Sequence, residues 1–174
     1  MTDQEPVIPR PFPLKLHVLH LNQDDPKKCT AKKLKKFGLV KLHSTLKTVP
    51  VQSIKLDPYA DLILSINDRD RIMRYGLTVI DCSWNQATDV FKRMKLKNGR
   101  RLSINFLAAN ATNYAMPGKL SSVEALSAAL IITGFFEEAE FLLSKFTWGH
   151  TFFELNKQRI DEIKASINPQ NIEK

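Results

Sequence analysis

"TVIDCSWNQA", residues 78–87, decides how the rest of the chain is read. Thr78, Val79 and Ile80 are β-branched or apolar throughout and read as a short buried strand. The strand ends on Asp81, a poor strand residue, and Trp84 stands just beyond its tip. From about Trp84 to Met94 the pattern becomes that of a short helix. A buried strand feeding a helix is half of a β–α unit, and open parallel sheets bind ligands outside the carboxyl ends of their strands. Asp81 there could capture an ammonium or accept a proton, and Trp84 could pack on an aliphatic or cationic ligand. The bland alternative stands beside it: Asp81 or Ser83 as a helix cap, and Trp84 as a plug in the core.

Working outward, "LKLHVLHL" (14–21) alternates apolar and polar residues as a first strand. "NQDDPKKCTAKKLKKFG" passes from turn chemistry into a helix, with Cys29 or Thr30 at its start and Gly38 just past its end. "LVKLH", "TVPVQSIKL" and "ADLILSI" read as further strands. Asn67 is placed to cap the next helix, with Asp70 three residues on, and "RDRIMRYG" closes at Gly76. "RLSINFLAAN" reads as the last strand. This alternation predicts an α/β fold with a mostly parallel sheet and flanking helices.

Beyond residue 110 the character changes to an all-helical part. Ser121 and Glu124 form a capping box for "SSVEALSAALIITG", whose small apolar residues predict a buried helix. Two amphipathic helices, near 135–146 and 151–166, follow. The expected organisation is a flexible Pro-rich leader at 1–13, an α/β domain at 14–101 and a mainly helical domain at 102–174.

The 174 residues are 43% hydrophobic, enough for a real core and incompatible with global disorder. A net charge of +8 favours a polyanionic partner, nucleic acid before an anionic membrane surface. Residues 1–13 carry four prolines and no apolar signal segment. No run approaches the roughly 20 apolar residues of a membrane span. The two cysteines, Cys29 and Cys82, match no metal spacing, and a reducing interior with free thiols is expected.

Two basic clusters stand out. Lys27, Lys28, Lys32, Lys33, Lys35 and Lys36 crowd the first helix, and Lys92, Arg93, Lys95, Lys97, Arg100 and Arg101 crowd a later segment. One such run is usually a solvated face; two beside neighbouring sheet-end loops tilt the reading toward RNA phosphates. The start of the first helix could hold a carboxylate or phosphate, though no glycine makes it a P-loop. His17, His20, His43 and His150 show neither ligand spacing nor an acidic partner pattern, so no metal is expected. No nucleophile elbow and no Cys–His pairing is readable.

"LNQDDPKKCTAKKL", "GLTVIDCSW", "FLAANATNYAMPGKLSSVEALSAALIITGF" and "KFTWGHTFFELN" follow one another in this order. Together they resemble the archaeal and eukaryotic small-subunit rRNA aminocarboxypropyltransferases across about residues 14–156. The resemblance implies a SPOUT-like fold with a trefoil knot in a cofactor-binding domain at 102–174, one of the rare exceptions to unknotted topology. It implies S-adenosylmethionine as donor and no metal. Its reaction is transfer of the 3-amino-3-carboxypropyl group to N3 of a (N1-methyl)pseudouridine in small-subunit rRNA, with 5′-methylthioadenosine released. It further implies action on rRNA or a pre-ribosomal particle, a cytoplasmic place in ribosome biogenesis, no membrane, and a monomer.

Carried over residue by residue, the resemblance gives Asp81 the α-ammonium of the donor, or the uracil N3 proton, or both. Trp84, helped by Ala87, packs the aliphatic arm, and backbone amides near Thr30 take the α-carboxylate. Ile80, Leu102, Ser103, Gly118 and Ser122 supply ribose and adenine contacts. Lys27, Lys28, Lys32, Lys33, Lys35, Lys36, Arg93, Lys95, Arg100 and Arg101 are the RNA-binding candidates. Two rivals remain: a SPOUT-type RNA methyltransferase leaving S-adenosylhomocysteine, and a non-catalytic RNA-binding assembly factor.

Overall fold

The computed structural model describes residues 12–23 and 25–167, so the leader expected at 1–13 lies almost wholly outside the described residues. Five strands form the sheet: β1 (Leu16–His20), β2 (Lys41–His43), β3 (Ile54–Leu56), β4 (Leu77–Asp81) and β5 (Gly99–Arg100). Their order is β2-β1-β4-β3-β5, and every pairing is parallel. Parallel neighbours need a crossover rather than a hairpin. Helix α1 (Thr30–Lys36) supplies it between β1 and β2 and α2 (Arg69–Tyr75) between β3 and β4, while α3 (Ala87–Arg93) leads from β4 past β3 to β5. The mostly parallel α/β sheet expected from the sequence is present.

β1 and β4 lie side by side with Leu16 opposite Leu77 and His20 opposite Asp81. Successive side chains alternate faces. Leu16, Val18, Leu77 and Val79 join the main core under α1 and the helices of the second half. Leu19 and Ile80 turn to the other face, where Val49, Ala87 and Phe91 make a smaller cluster. Gly76 makes the close strand approach possible: at φ +89°, any Cβ there would collide with the Lys15 carbonyl oxygen.

The second face also buries a polar chain. His17 Nδ1 meets His43 Nε2 at 2.9 Å, and His43 Nδ1 meets Thr48 Oγ1 at 2.9 Å. Lys55, 2% exposed, donates to the carbonyls of Pro50, Val51 and Ser53 at 2.6–3.0 Å. Burial, then Arg71, lowers its pKa to about 8. Burial first, then His43 and neighbouring lysines, lowers the His17 pKa to about 4. The unfolded chain therefore binds a proton at His17 near pH 6.5 that the folded chain refuses until about pH 4. The associated stability is complete above pH 6.5 and disappears as pH falls through that window. We expect a loss of about 2 kcal/mol from this group between neutral pH and pH 5, read from urea midpoints, and a flatter profile in His17→Gln.

The second half is helical: α4 (Ser122–Ile132), α5 (Phe136–Ser144), α6 (Gly149–Leu155) and α7 (Lys157–Ser166). α4 is buried on nearly every side, as its composition predicts, and packs on β4, α1 and α5. Each fully buried Leu or Ile there contributes about 1.5–3 kcal/mol relative to exposure.

Four local expectations are corrected. "ADLILSI" is no strand: Leu62 and Ile63 are exposed, and it makes a single bridge, Ile63 to Arg101. The helical turn before α2 is capped by Ser65, not Asn67. Ser65 Oγ accepts from the Asn67 amide at 3.3 Å, and Asp68 accepts from the Ser65 amide at 3.1 Å. The last strand stops at Arg100, because from Leu102 the chain leaves the sheet edge. The backbone of Leu107 is paired instead by the buried Asn156 side chain, whose Oδ1 accepts at 2.7 Å and whose Nδ2 donates at 2.9 Å. Residues 106–118 then fold back on themselves, Ala108 and Gly118 donating to Met116 and Phe106. The helix expected over 151–166 is broken at the same Asn156, which ends α6 and opens α7. Gly149 belongs to the earlier junction of α5 with α6: a Cβ there would strike the Leu143 carbonyl.

Candidate active site at the carboxyl edge of the sheet

Because all five strands run the same way, their carboxyl ends meet on one edge, where an open cleft of about 1900 Å³ lies. The turn before α1, the segment after β4, the segment after β5, the 110–113 loop and the start of α4 line it.

The β1–β4 register places His20 and Asp81 side by side on the face that α1 covers, and Cys29 stands at the start of α1. His20 Nε2 lies 3.3 Å from Asp81 Oδ2 and 3.3 Å from Cys29 Sγ, and Cys29 Sγ donates to Asp81 Oδ2 at 3.5 Å. Two expectations are thereby corrected: His20 does have an acidic partner, and a Cys–His pair does exist. Burial raises the Cys29 thiol above its ordinary value, and the adjacent Asp81 raises it further. Gln23 Oε1 accepts from the Ser83 amide at 3.0 Å and ties the tips of β1 and β4 together.

Trp84 precedes α3 instead of beginning it, in a turn closed by Gln86 donating to the Ser83 carbonyl. It is 39% exposed and faces the cleft, so it is no core plug. Ala87 is buried at the start of α3, and Ile80 lines the floor. Thr30 is buried with its hydroxyl already engaged, accepting from the Val123 amide at 3.2 Å and joining the starts of α1 and α4. Leu102 and Ser103 border the cleft past the end of β5 rather than within a strand. Gly118 (φ +72°) and Ser122 complete the opposite wall.

That wall is held by one buried carboxylate. Glu124, 0% exposed, accepts from the Ala109 amide at 2.6 Å, Asn110 Nδ2 at 2.6 Å, and the Ser121 amide and hydroxyl at 3.1 and 2.9 Å. The capping box expected at Ser121 is thus also the fastening of the 109–121 loop.

Of the basic candidates, Lys27, Lys28, Lys32, Lys33, Lys36, Arg100 and Arg101 border the cleft, whereas Lys35, Arg93 and Lys95 are not on its lining. Arg100 is bonded to Asp68 at 3.1 Å, and Arg101 donates to the carbonyls of Ala60 and Asp61. Lys33 lies over the Phe146 ring at 4.8 Å, and Phe146 packs on Trp148. Lys119 lies within the Gly118–Ser122 stretch expected at the site, whereas the 110–113 loop, Phe146 and Trp148 line the cleft without having been singled out by the sequence. "PGKLSS" and "KFTWGH" lie far from Asp81 along the chain, and no local pattern joins them to it. The arrangement suits a small cationic molecule with an apolar body, held by a carboxylate and an indole, beside a polyanion on the lysine rim.

Residues 54–174 match the family described as "Ribosome biogenesis protein, C-terminal". Residues 14–47 match a family described as "Possible Fer4-like domain in RNase L inhibitor". That stretch holds one cysteine, Cys29, and cannot provide the four thiolates of an iron–sulfur cluster. The 16S rRNA aminocarboxypropyltransferase of Thermoplasma volcanium is 47% identical over 151 residues, 87% of this chain and 90% of that protein. The enzyme of the same name from Methanosarcina acetivorans is 40% identical over 158 residues, 90% of this chain and 89% of that one. The solved structure of the SAM-dependent rRNA:acp-transferase Tsr3 from Vulcanisaeta distributa superposes with a TM-score of 0.82 at 38% identity, covering 88% of this chain and 84% of that one.

Proposed function

The chain belongs to the rRNA aminocarboxypropyltransferase family, and on that premise we propose the reaction it catalyses and the residues that carry it. It is an S-adenosylmethionine-dependent transferase acting on small-subunit rRNA. In the proposed step, uracil N3 of a (N1-methyl)pseudouridine attacks the γ-carbon of the donor's amino-acid arm. The carbon–sulfur bond breaks, its electron pair returns to sulfur, 5′-methylthioadenosine leaves, and the N3 proton passes to Asp81 or solvent.

One observation carries the reading: a carboxylate and an exposed indole stand together at a sheet edge beside a lysine rim. A methyltransferase needs the methyl presented and the arm tucked away, whereas this reaction needs the arm itself in line for attack. Asp81 facing the α-ammonium and Trp84 against the methylene chain would hold it so. Backbone amides near Thr30 take the α-carboxylate; the first turn of α1 contains no acidic residue to oppose one. Ile80, Ala87, Leu102, Ser103, Gly118 and Ser122 enclose the nucleoside. The sulfonium is already a good leaving group, so positioning is the main contribution, worth about 7–11 kcal/mol.

The by-product tests the reading directly. Donor labelled in its carboxypropyl arm should transfer label to small-subunit rRNA and leave methylthioadenosine. Release of S-adenosylhomocysteine would instead establish methyl transfer, and binding without either product would make the chain an assembly factor.

The lysines of α1 and the turn before it are proposed to track RNA phosphates. Lys32, Lys33 and Lys36 border the cleft, and Lys35 is exposed on the same helix. Neutralising all four should weaken rRNA binding and flatten its salt dependence, by about 0.7–0.9 in slope for each phosphate that is no longer neutralised. Donor affinity should be unchanged, and an unmoved slope would reduce these lysines to a solvated face.

The finer architecture is proposed on the same family grounds. A SPOUT-like trefoil knot in the helical, cofactor-binding part at 102–174 is proposed from the family resemblance alone. Among the described residues no helix is long and apolar enough to cross a membrane. The family resemblance is the ground on which a monomeric, cytoplasmic enzyme working on rRNA or a pre-ribosomal particle is proposed.

A further inference from the structure

We propose that His20, Cys29 and Asp81 form a three-donor site for a thiophilic divalent cation of the zinc class, with a fourth position open to the cleft. The three donor atoms lie 3.3, 3.3 and 3.5 Å apart. Around a tetrahedral zinc, nitrogen, sulfur and oxygen donors at about 2.0–2.3 Å from the ion stand about 3.3–3.6 Å from one another. The triangle therefore already has the edges such an ion requires. As a hydrogen-bond network it is poor. The His20–Asp81 contact is longer than the 2.7–2.9 Å typical of charge-assisted pairs, and thiols donate weakly. The two contacts to sulfur are of ordinary length for a thiol, so it is the long His20–Asp81 edge, together with the match of all three edges to a tetrahedral site, that points to a donor face.

The neighbourhood agrees. Cys29 and Asp81 line the cleft, so an ion has an entry path and room for water as a fourth ligand. The side chains of His20 and Asp81 are only 10% and 13% exposed, which holds the donors in place. On binding, the Cys29 thiol forms its sulfur–metal bond and releases its proton to solvent. Thiolate and carboxylate together then balance the two positive charges of the ion. His, Cys and Asp select a borderline-soft cation over magnesium or calcium, which prefer oxygen alone.

The site has a consequence that rests on the reading of Asp81 as anchor of the donor's ammonium. Cation and donor then share one carboxylate and exclude each other, so the cation acts as an inhibitor rather than a cofactor.

Cobalt(II) added alone to the full-length protein is the probe, because a thiolate ligand announces itself by a near-ultraviolet charge-transfer band. Intense visible bands would report four-coordination. Both should saturate at one equivalent, be displaced by Zn²⁺, persist in Cys82→Ser and vanish in Cys29→Ser; in His20→Ala, affinity should fall roughly tenfold or more. No charge-transfer band in the wild-type protein, or one that survives in Cys29→Ser, overturns the site without reference to any mutant's stability. S-adenosylmethionine should then bleach the cobalt bands while methylthioadenosine, which lacks the arm, leaves them intact. Bands indifferent to S-adenosylmethionine would keep the metal site and overturn the ammonium reading of Asp81.

Discussion

Asp81→Asn is expected to weaken S-adenosylmethionine binding about tenfold to a hundredfold and to leave methylthioadenosine binding nearly unchanged. The replaced interaction is a charge-assisted hydrogen bond to an ammonium, worth about 1.5–3 kcal/mol, and methylthioadenosine has no ammonium to lose. Asp81 is largely buried, at 13% side-chain exposure, where an unpaired charge is costly and a paired one is held firmly. A competing role predicts a different pattern. If Asp81 chiefly accepts the uracil N3 proton, the variant binds donor normally, loses turnover, and recovers much of its rate as pH rises and the proton leaves unaided. The anchoring role is favoured, since a carboxylate opposite an ammonium is better placed to bind than to accept a proton. Calorimetry with both ligands and a pH–rate profile separate the two. Wild-type donor affinity together with wild-type turnover would remove Asp81 from the site.

The second large effect belongs to Glu124, which touches no proposed substrate. Glu124→Ala should destabilise the protein by about 3–5 kcal/mol, because it strands the buried Ala109 amide, leaves Ser121 without its acceptor and leaves Asn110 only the long contact to the Lys119 carbonyl. Glu124→Gln preserves shape but turns one acceptor into a donor that faces other donors, and about 1.5–3 kcal/mol is the expected loss. The 109–121 wall of the cleft should open in both. Urea midpoints give the stability change, and faster hydrogen exchange at the Ala109 amide would locate it. Unchanged exchange there with an unchanged midpoint would mean that the loop is held by something else.

These two carboxylates mark how far the residues themselves could be read. The β–α alternation, the buried α4 with its Ser121–Glu124 box and the placement of Asp81 and Trp84 at a strand tip all follow from local chemistry. β-branching, capping oxygens and a helix-length run of small apolar residues act over one or two turns of chain, so a sequence displays them. The rRNA transferase reading was likewise legible, because the motifs that carry it occur in one fixed order.

What only the tertiary structure decided depends on which distant segments become neighbours. Nothing in "INFLAAN" says that its backbone will be paired by the side chain of Asn156 and not by a strand; both satisfy the same amide and carbonyl. Ser65 prevailed over Asn67 as a cap because helix entry geometry selects among equally suitable oxygens. Trp84 could equally have been a core plug until the turn at 83–86 left it outside α3. Glu124 reads as a simple helix cap, and only the return of the 109–121 loop makes it a fourfold acceptor. Most of all, His20, Cys29 and Asp81 span 62 residues of chain and share no spacing. They meet because β1 and β4 pair in parallel at one register and α1 crosses their ends. A slip of a single residue would have turned His20 to the opposite face and dissolved the cluster.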